Sequence, residues 1–164
     1  GADIVLLPEI PYDIEKVGSA IERRRKQGKP FSILAVAEGA LSKREAKMSK
    51  KELAAARQKE GLPSIAYRLV QELEPSVGGE SRGCVPGHFQ RGGAPCAYDR
   101  MLATMLGAAA ARLIREGKYG YMCAIVNNEI VPVPLEEVAG KLKKVPVDCP
   151  AVQMAREIGV SFGD

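Results

Sequence analysis

The 164-residue chain has no tryptophan, a single histidine and only 5% aromatic residues. Base stacking by a single-stranded RNA binder is therefore poorly supplied, with five Tyr and three Phe. No apolar run approaches the ~18–20 residues that a membrane helix needs. No charged, apolar, small-residue leader opens the chain. Cys84, Cys96, Cys123 and Cys149 lie 12, 27 and 26 residues apart, with no CxxC pair. That spacing argues against a zinc ribbon or a redox motif. An even count in a chain with a sizeable core reads better as free cytosolic thiols than as a disulfide framework. His88 has no cluster of carboxylates or thiols around it in sequence, so no metal site is expected. Internal repeats and low-complexity tracts are also missing. There is no initiator Met, and Gly1-Ala2-Asp3 runs straight into Ile4-Val5-Leu6-Leu7. Such a start is expected of a stretch cut from something longer.

What is present describes a globular chain. A 46% hydrophobic content supports a real core, and 27% charged residues is ordinary. The length suits one domain, or two small ones. Lys+Arg number 24 against 20 Asp+Glu, a net +4 that falls short of a dedicated nucleic-acid binder. Residues 42–59 hold seven Lys/Arg and two Asp/Glu, so this segment alone carries +5. Its plain reading is a solvated helix, and its sharper one a basic anion- or RNA-binding module.

Periodicity places the elements. Residues 4–7 form a short apolar run stopped by Pro8, as a strand buried on both faces does. Ile14, Val17 and Ile21 mark a helix from about 13 that ends near Gly28, with Arg23 to Lys26 in its last turn. A second buried-type strand spans 31–37 and is closed by Glu38-Gly39. Residues 42–59 have high helix propensity. The next helix follows Leu62-Pro63-Ser64 and is expected to end at Glu74-Pro75. A long helix covers 97–115, with an apolar face that includes Met101, Leu102, Met105 and Ala109. A strand at 121–126 turns at Asn127-Asn128 into 130–133. Residues 136–142 are a short helix, 145–149 are extended, and 151–158 are helical. Strands alternating with helices predict an α/β layered fold with a largely parallel sheet.

Two places could carry chemistry. Glu9 directly follows the first strand, and open parallel sheets bind ligands beyond their carboxyl ends. It is placed either to accept hydrogen bonds from a hydroxylated ligand or simply to open a loop or cap the next helix. The second place is 78–93, which holds six of the 17 glycines. Within it, Arg82, His88 and Arg91 lie among residues that bare the backbone amides. Arginine forks and free N–H groups suit a phosphate. The plainer alternative is a tight turn with a satisfied histidine.

Gly87-His88-Phe89-Gln90-Arg91-Gly92-Gly93-Ala94-Pro95, with Tyr98-Asp99-Arg100 after it, resembles the signature of the 6-phosphofructokinases. Leu7-Pro8-Glu9-Ile10 and the position of Arg82, six residues before His88, fit that family as well. The resemblance implies a three-layer, Rossmann-like α/β fold of two lobes. Residues 1–94 would belong to the substrate lobe. Residues 95–164 would be a helix and hairpin returning to the donor lobe, with a C-terminal crossover. The implied activity is phosphorylation of fructose 6-phosphate at O1 to fructose 1,6-bisphosphate, a cytoplasmic step of glycolysis. Glu9 would bind sugar hydroxyls, and His88 and Arg91 the 6-phosphate end. Phe89 and Gln90 would support the loop. Arg82 would reach a neighbouring subunit's site, which implies a homo-oligomer.

The family's GGD-type donor loop, TxDxD-type base motif and MGR-type substrate motif are missing from this sequence. The sites for Mg2+ with ATP or pyrophosphate would then lie outside the chain, as would the catalytic base. Phosphoryl transfer depends on positioning and charge neutralisation around the donor. The chain by itself is thus expected to bind sugar phosphate and not to turn over. Segment 42–59 is longer than in compact bacterial ATP enzymes and resembles the longer branch, whose members use ATP or pyrophosphate. A catalytically dead regulatory subunit of the same fold is the remaining alternative.

Overall fold

Ile4 and Leu6 point inward from the first strand and are fully buried. This strand, β1 (Ile4–Leu6), pairs in parallel with β2 (Leu34–Val36), Ile4 opposite Leu34 and Leu6 opposite Val36. The structure is a computed structural model that describes residues 1–164, with every side chain but that of Ser76. β2 is shorter than the run 31–37 suggests. Ahead of it, Asp3 uses its side chain, accepting the Ile33 N–H at 2.8 Å, and Phe31 stays 67% exposed.

The other edge of β1 is filled from the far end of the chain. The Val5 N–H donates to the Ser161 carbonyl at 2.8 Å, and the Ser161 N–H donates to the Asp3 carbonyl at 3.1 Å. This tail needs Gly163. Its φ is +73°, and an added Cβ would lie 2.9 Å from Val17 and 3.0 Å from Tyr12. The Gly163 carbonyl also accepts the Asp13 N–H at 2.7 Å.

Helix α1 (Ile14–Lys26) starts where the Asp13 carboxylate accepts the Glu15 N–H at 3.1 Å. It buries Val17 and Ala20. Segment 42–59 is broken rather than one helix. A single 3-10 turn at Glu45–Lys47 precedes α2 (Lys50–Glu60). Ser49 and Glu52 form a capping box at the start of α2, and Gly61 closes it. Most of α2 is solvated, but Glu45 in the 3-10 turn is buried.

Helix α3 (Ile65–Val77) runs past the expected stop at Pro75. Pro75 has no N–H to donate within the helix, and the helix nevertheless continues to Val77. Buried Val77 holds the last turn against the core, and the Arg25 guanidinium donates to the Val77 carbonyl. Ile65, Leu69, Leu73 and Val77 meet Ile4, Leu6, Tyr12 and Val17 in the main core. A smaller cluster joins Ile10 to Val152 and Phe162, the former from α6 (Pro150–Glu157). These elements make one compact unit, Gly1–Val85 with Lys144–Asp164.

The second unit is Pro86–Lys143. It contains α4 (Ala97–Arg115), then β3 (Tyr121–Val126) and β4 (Glu129–Pro134) as an antiparallel hairpin, then α5 (Leu135–Val138). Asn127 and Asn128 take φ of 51° and 65°, the paired left-handed geometry of a tight hairpin turn. Parallel pairing lies in the first unit, between β1 and β2 and at the single bridges Ile4–Ser161 and Tyr12–Ser42, so the sheet is smaller than the largely parallel one expected. α5 ends four residues before the expected 142, and 145–149 form no strand. The apolar face of α4 is largely bare: Met101 is 58% exposed and Ile114 is 62%, while Ala109 is buried. Among the described residues, no helix is long and apolar enough to cross a membrane.

Gly163→Ala tests the tail. Overpacking with a strained φ should cost about 1–3 kcal/mol, read as a lower urea midpoint by circular dichroism. An unchanged midpoint would show that the tail does not pack as described.

Candidate functional site

Two carboxylates leave the sheet at its carboxyl edge. Pro8 and Glu9 follow β1, and Ala37 and Glu38 follow β2. The Ala37 N–H donates to the Leu6 carbonyl at 3.0 Å, and a Cβ on Gly39 would meet the Pro8 ring at 3.3 Å. The two loops therefore run side by side. Glu9 does not cap α1, since Asp13 does. Its Oε1 accepts the Val145 N–H at 3.1 Å, and its Oε2 is buried with no hydrogen-bond partner among the described residues. Leaving such an acceptor unpaired costs about 1–3 kcal/mol, which a ligand hydroxyl would recover. Glu38 is exposed and borders a recess of ≈ 210 Å³ with Arg57, Glu60, Ser64 and Arg68. The sequence reading used Glu38 only to close a strand. The signal that could have singled it out was the repeat of one pattern, an apolar strand followed by Glu.

The phosphate-type residues divide between the units. Arg82 belongs to the first, where its side chain is 82% exposed and pairs with Glu80 at 2.8 Å. Residues 79–84 line a cavity of ≈ 550 Å³ with Arg25, Phe31, Leu69 and Leu73. His88, Phe89, Gln90 and Arg91 come together in the second unit on one 3-10 turn, Gly87–Arg91. The Phe89 N–H donates to the Pro86 carbonyl at 3.0 Å, and the Gly92 N–H to the Phe89 carbonyl at 3.2 Å. Gly87 (φ +52°) and Gly93 (φ +94°) bracket this turn in conformations that side chains resist. All four side chains are exposed. Among the described residues, neither the His88 ring nor the Arg91 guanidinium has a hydrogen-bond or ion-pair partner.

Tyr98-Asp99-Arg100 has a structural part in this loop. The Asp99 carboxylate accepts from the Cys96 N–H at 3.3 Å and from its thiol at 3.1 Å, at the start of α4. The Arg100 guanidinium donates to the Pro95 carbonyl at 3.4 Å. Together they anchor the chain just after Gly92-Gly93. All four cysteines are free thiols.

Behind the carboxyl edge lies a buried charge cluster. Glu45, 7% exposed, accepts from Arg68 at 2.6 and 3.2 Å, from Arg57 at 3.1 Å, and from the Ser42 N–H at 2.9 Å. Burial alone would push the Glu45 carboxyl up. The hydrogen bonds from Arg68, Ser42 and Arg57 more than offset this and hold it at about 2. Burial pushes the Tyr12 phenol up to about 12, against the opposing pull of Arg68.

The family model for phosphofructokinase matches residues 1–114. The whole chain is 48% identical over 164 residues to the ATP-dependent 6-phosphofructokinase of Spirochaeta thermophila, of which it covers 45%. It is 44% identical to the enzyme of that name from Propionibacterium freudenreichii, of which it covers 48%. The chain thus spans about half the length of these relatives. In structure it resembles the pyrophosphate-dependent phosphofructokinase of Marinobacter aquaeolei, with a TM-score of 0.63 at 22% identity over 98% of the chain and 41% of that protein. The phosphofructokinase of Saccharomyces cerevisiae gives a TM-score of 0.54 at 27% identity, over 84% of the chain and 17% of that protein. The chain belongs to the phosphofructokinase family, and its fold is the α/β fold of that family.

The charge cluster makes stability depend on acid. The Glu45 carboxyl lies below its ordinary value of 4.5, at about 2. Its contribution, on the order of 3 kcal/mol, is full above pH 4.5 and is lost as the pH falls toward 2. Wild type should lose stability across that window more steeply than Glu45→Gln in urea titrations. Parallel losses would show that Glu45 is not the group responsible.

Proposed function

We propose that this chain is the sugar-phosphate-binding part of a 6-phosphofructokinase, which phosphorylates fructose 6-phosphate at O1 in glycolysis. The turn Gly87–Arg91 carries this reading, because His88 and Arg91 stand exposed and unpaired on a glycine-bracketed loop. In this reading Arg91 forks onto the 6-phosphate and His88 donates to the same group. Phe89 and Gln90 shape the loop. The unpaired Oε2 of Glu9 accepts a sugar hydroxyl, with Glu38 beside it at the same edge. Arg82 is held by nothing more than exposed Glu80, which suits a side chain that reaches the site of a neighbouring subunit in a homo-oligomer. Residues 1–94 are assigned to the substrate lobe and 95–164 to the return toward the donor lobe. The bare apolar face of α4 suits burial against further chain or a second copy.

The family implies Mg2+ with ATP or pyrophosphate. Among the described residues, no three His, Cys, Asp or Glu side chains converge to hold a metal ion. In this reading the sites for the metal and the phosphoryl donor lie outside the chain, and these residues contribute substrate binding. The chain alone is proposed to be inactive, and the cell compartment of the whole enzyme to be the cytoplasm.

Calorimetric titration of the chain with fructose 6-phosphate should give saturable binding. Arg91→Ala removes a charge-assisted phosphate contact and should weaken it by about 1.5–3 kcal/mol, roughly 10- to 150-fold in Kd. Glu9→Gln and Glu38→Gln apportion the hydroxyl contacts. An unaltered Kd in Arg91→Ala would remove the phosphate assignment.

A further inference from the structure

The Glu45 cluster does more than fill a gap in the core. It touches the backbone of the loop after β2 and the Tyr12 side chain of the segment after β1. Tyr12, three residues past Glu9, donates its N–H to the Leu41 carbonyl at 2.9 Å and accepts the Lys43 N–H at 2.8 Å. These two bonds zip the loop after β1 to the loop after β2. The second loop is then clamped from behind. Glu45 accepts from Ser42, and the Arg57 guanidinium spans from Glu45 to the Ala40 carbonyl at 3.0 Å. Arg68 ties the same carboxylate to helix α3 and donates to the Tyr12 hydroxyl at 3.5 Å. Ala40 is fully buried and lies two residues past Glu38.

We propose that Arg57 and Glu45 are positioning residues that hold the loops carrying Glu9 and Glu38 in register for a hydroxylated ligand. The proposal rests on the sugar-phosphate reading for its ligand and on the hydrogen bonds above for its geometry. Arg57 suits the task because its planar fork reaches a carboxylate and a carbonyl at once. A lysine keeps the charge and reaches only one of them. Arg57 is also partly exposed, so its replacement leaves no buried unpaired cation.

Hydrogen exchange on the 164-residue chain, read by NMR, tests the idea. In Arg57→Met the amides of Tyr12 and Lys43 should exchange about tenfold faster, while Val5 and Ala37 change less than about twofold. Arg57→Lys should resemble Arg57→Met. In the same variants the Kd for fructose 6-phosphate should rise about tenfold at unchanged enthalpy of unfolding. Uniform acceleration of all four amides would overturn the proposal, since Arg57 would then serve global stability alone. Unchanged Tyr12 and Lys43 would overturn it as well. If wild type fails to bind the sugar phosphate, the proposed function falls, and the exchange pattern alone decides the positioning role.

Discussion

The first unit depends on one buried pair, Glu45 and Arg68. Taking two charges out of water is expensive unless nearly every polar atom finds a partner. Glu45 meets that demand with donors from Arg68, Arg57 and Ser42, while only Nε of Arg68 is left unpaired. Its partners come from α2, α3 and the loop after β2. Removing Arg68 would strand the buried Glu45 carboxylate, so the pair ties α3 to the turn at Glu45 in one arrangement.

That arrangement fixes the loops that follow two short strands. A pair of three-residue strands has little stability by itself. Here β1 is held from below by the core, from one side by β2 and from the other by the C-terminal tail at Ser161. The charge cluster then fixes the loops at the upper edge, where Glu9 and Glu38 emerge. Rigid support beneath polar side chains is the usual way a fold places acceptors for a ligand.

The second unit follows a different economy of burial. A 19-residue helix and one hairpin cannot enclose a core, and α4 shows Met101, Met105 and Ile114 to solvent. Its defined feature is local: glycines with positive φ, a 3-10 turn, and Asp99 anchoring the helix start. Local hydrogen bonds alone shape this loop, which presents His88 and Arg91 outward.

Much of this was legible in the residues themselves. Asp13, Ser64 and the Asn127-Asn128 turn act through neighbours in sequence, so the helices at 14, 65 and 97 and the hairpin could be read directly. The motif from Gly87 to Arg100 was visible for the same reason, because its hydrogen bonds all close within a few residues. Glu45 was not legible. It sat in a basic segment that read as one solvated helix, and its burial comes from Arg68, 23 residues away. The helix past Pro75, the docking of Ser161 on β1 and the tight fit of Gly163 were hidden in the same way, since each depends on a partner distant in sequence. Local pattern determined most of the elements and the motif by which the chain resembles its family. Only the tertiary structure decided which carboxylates share an edge and what holds them there, because burial and long-range pairing are properties of the packed chain.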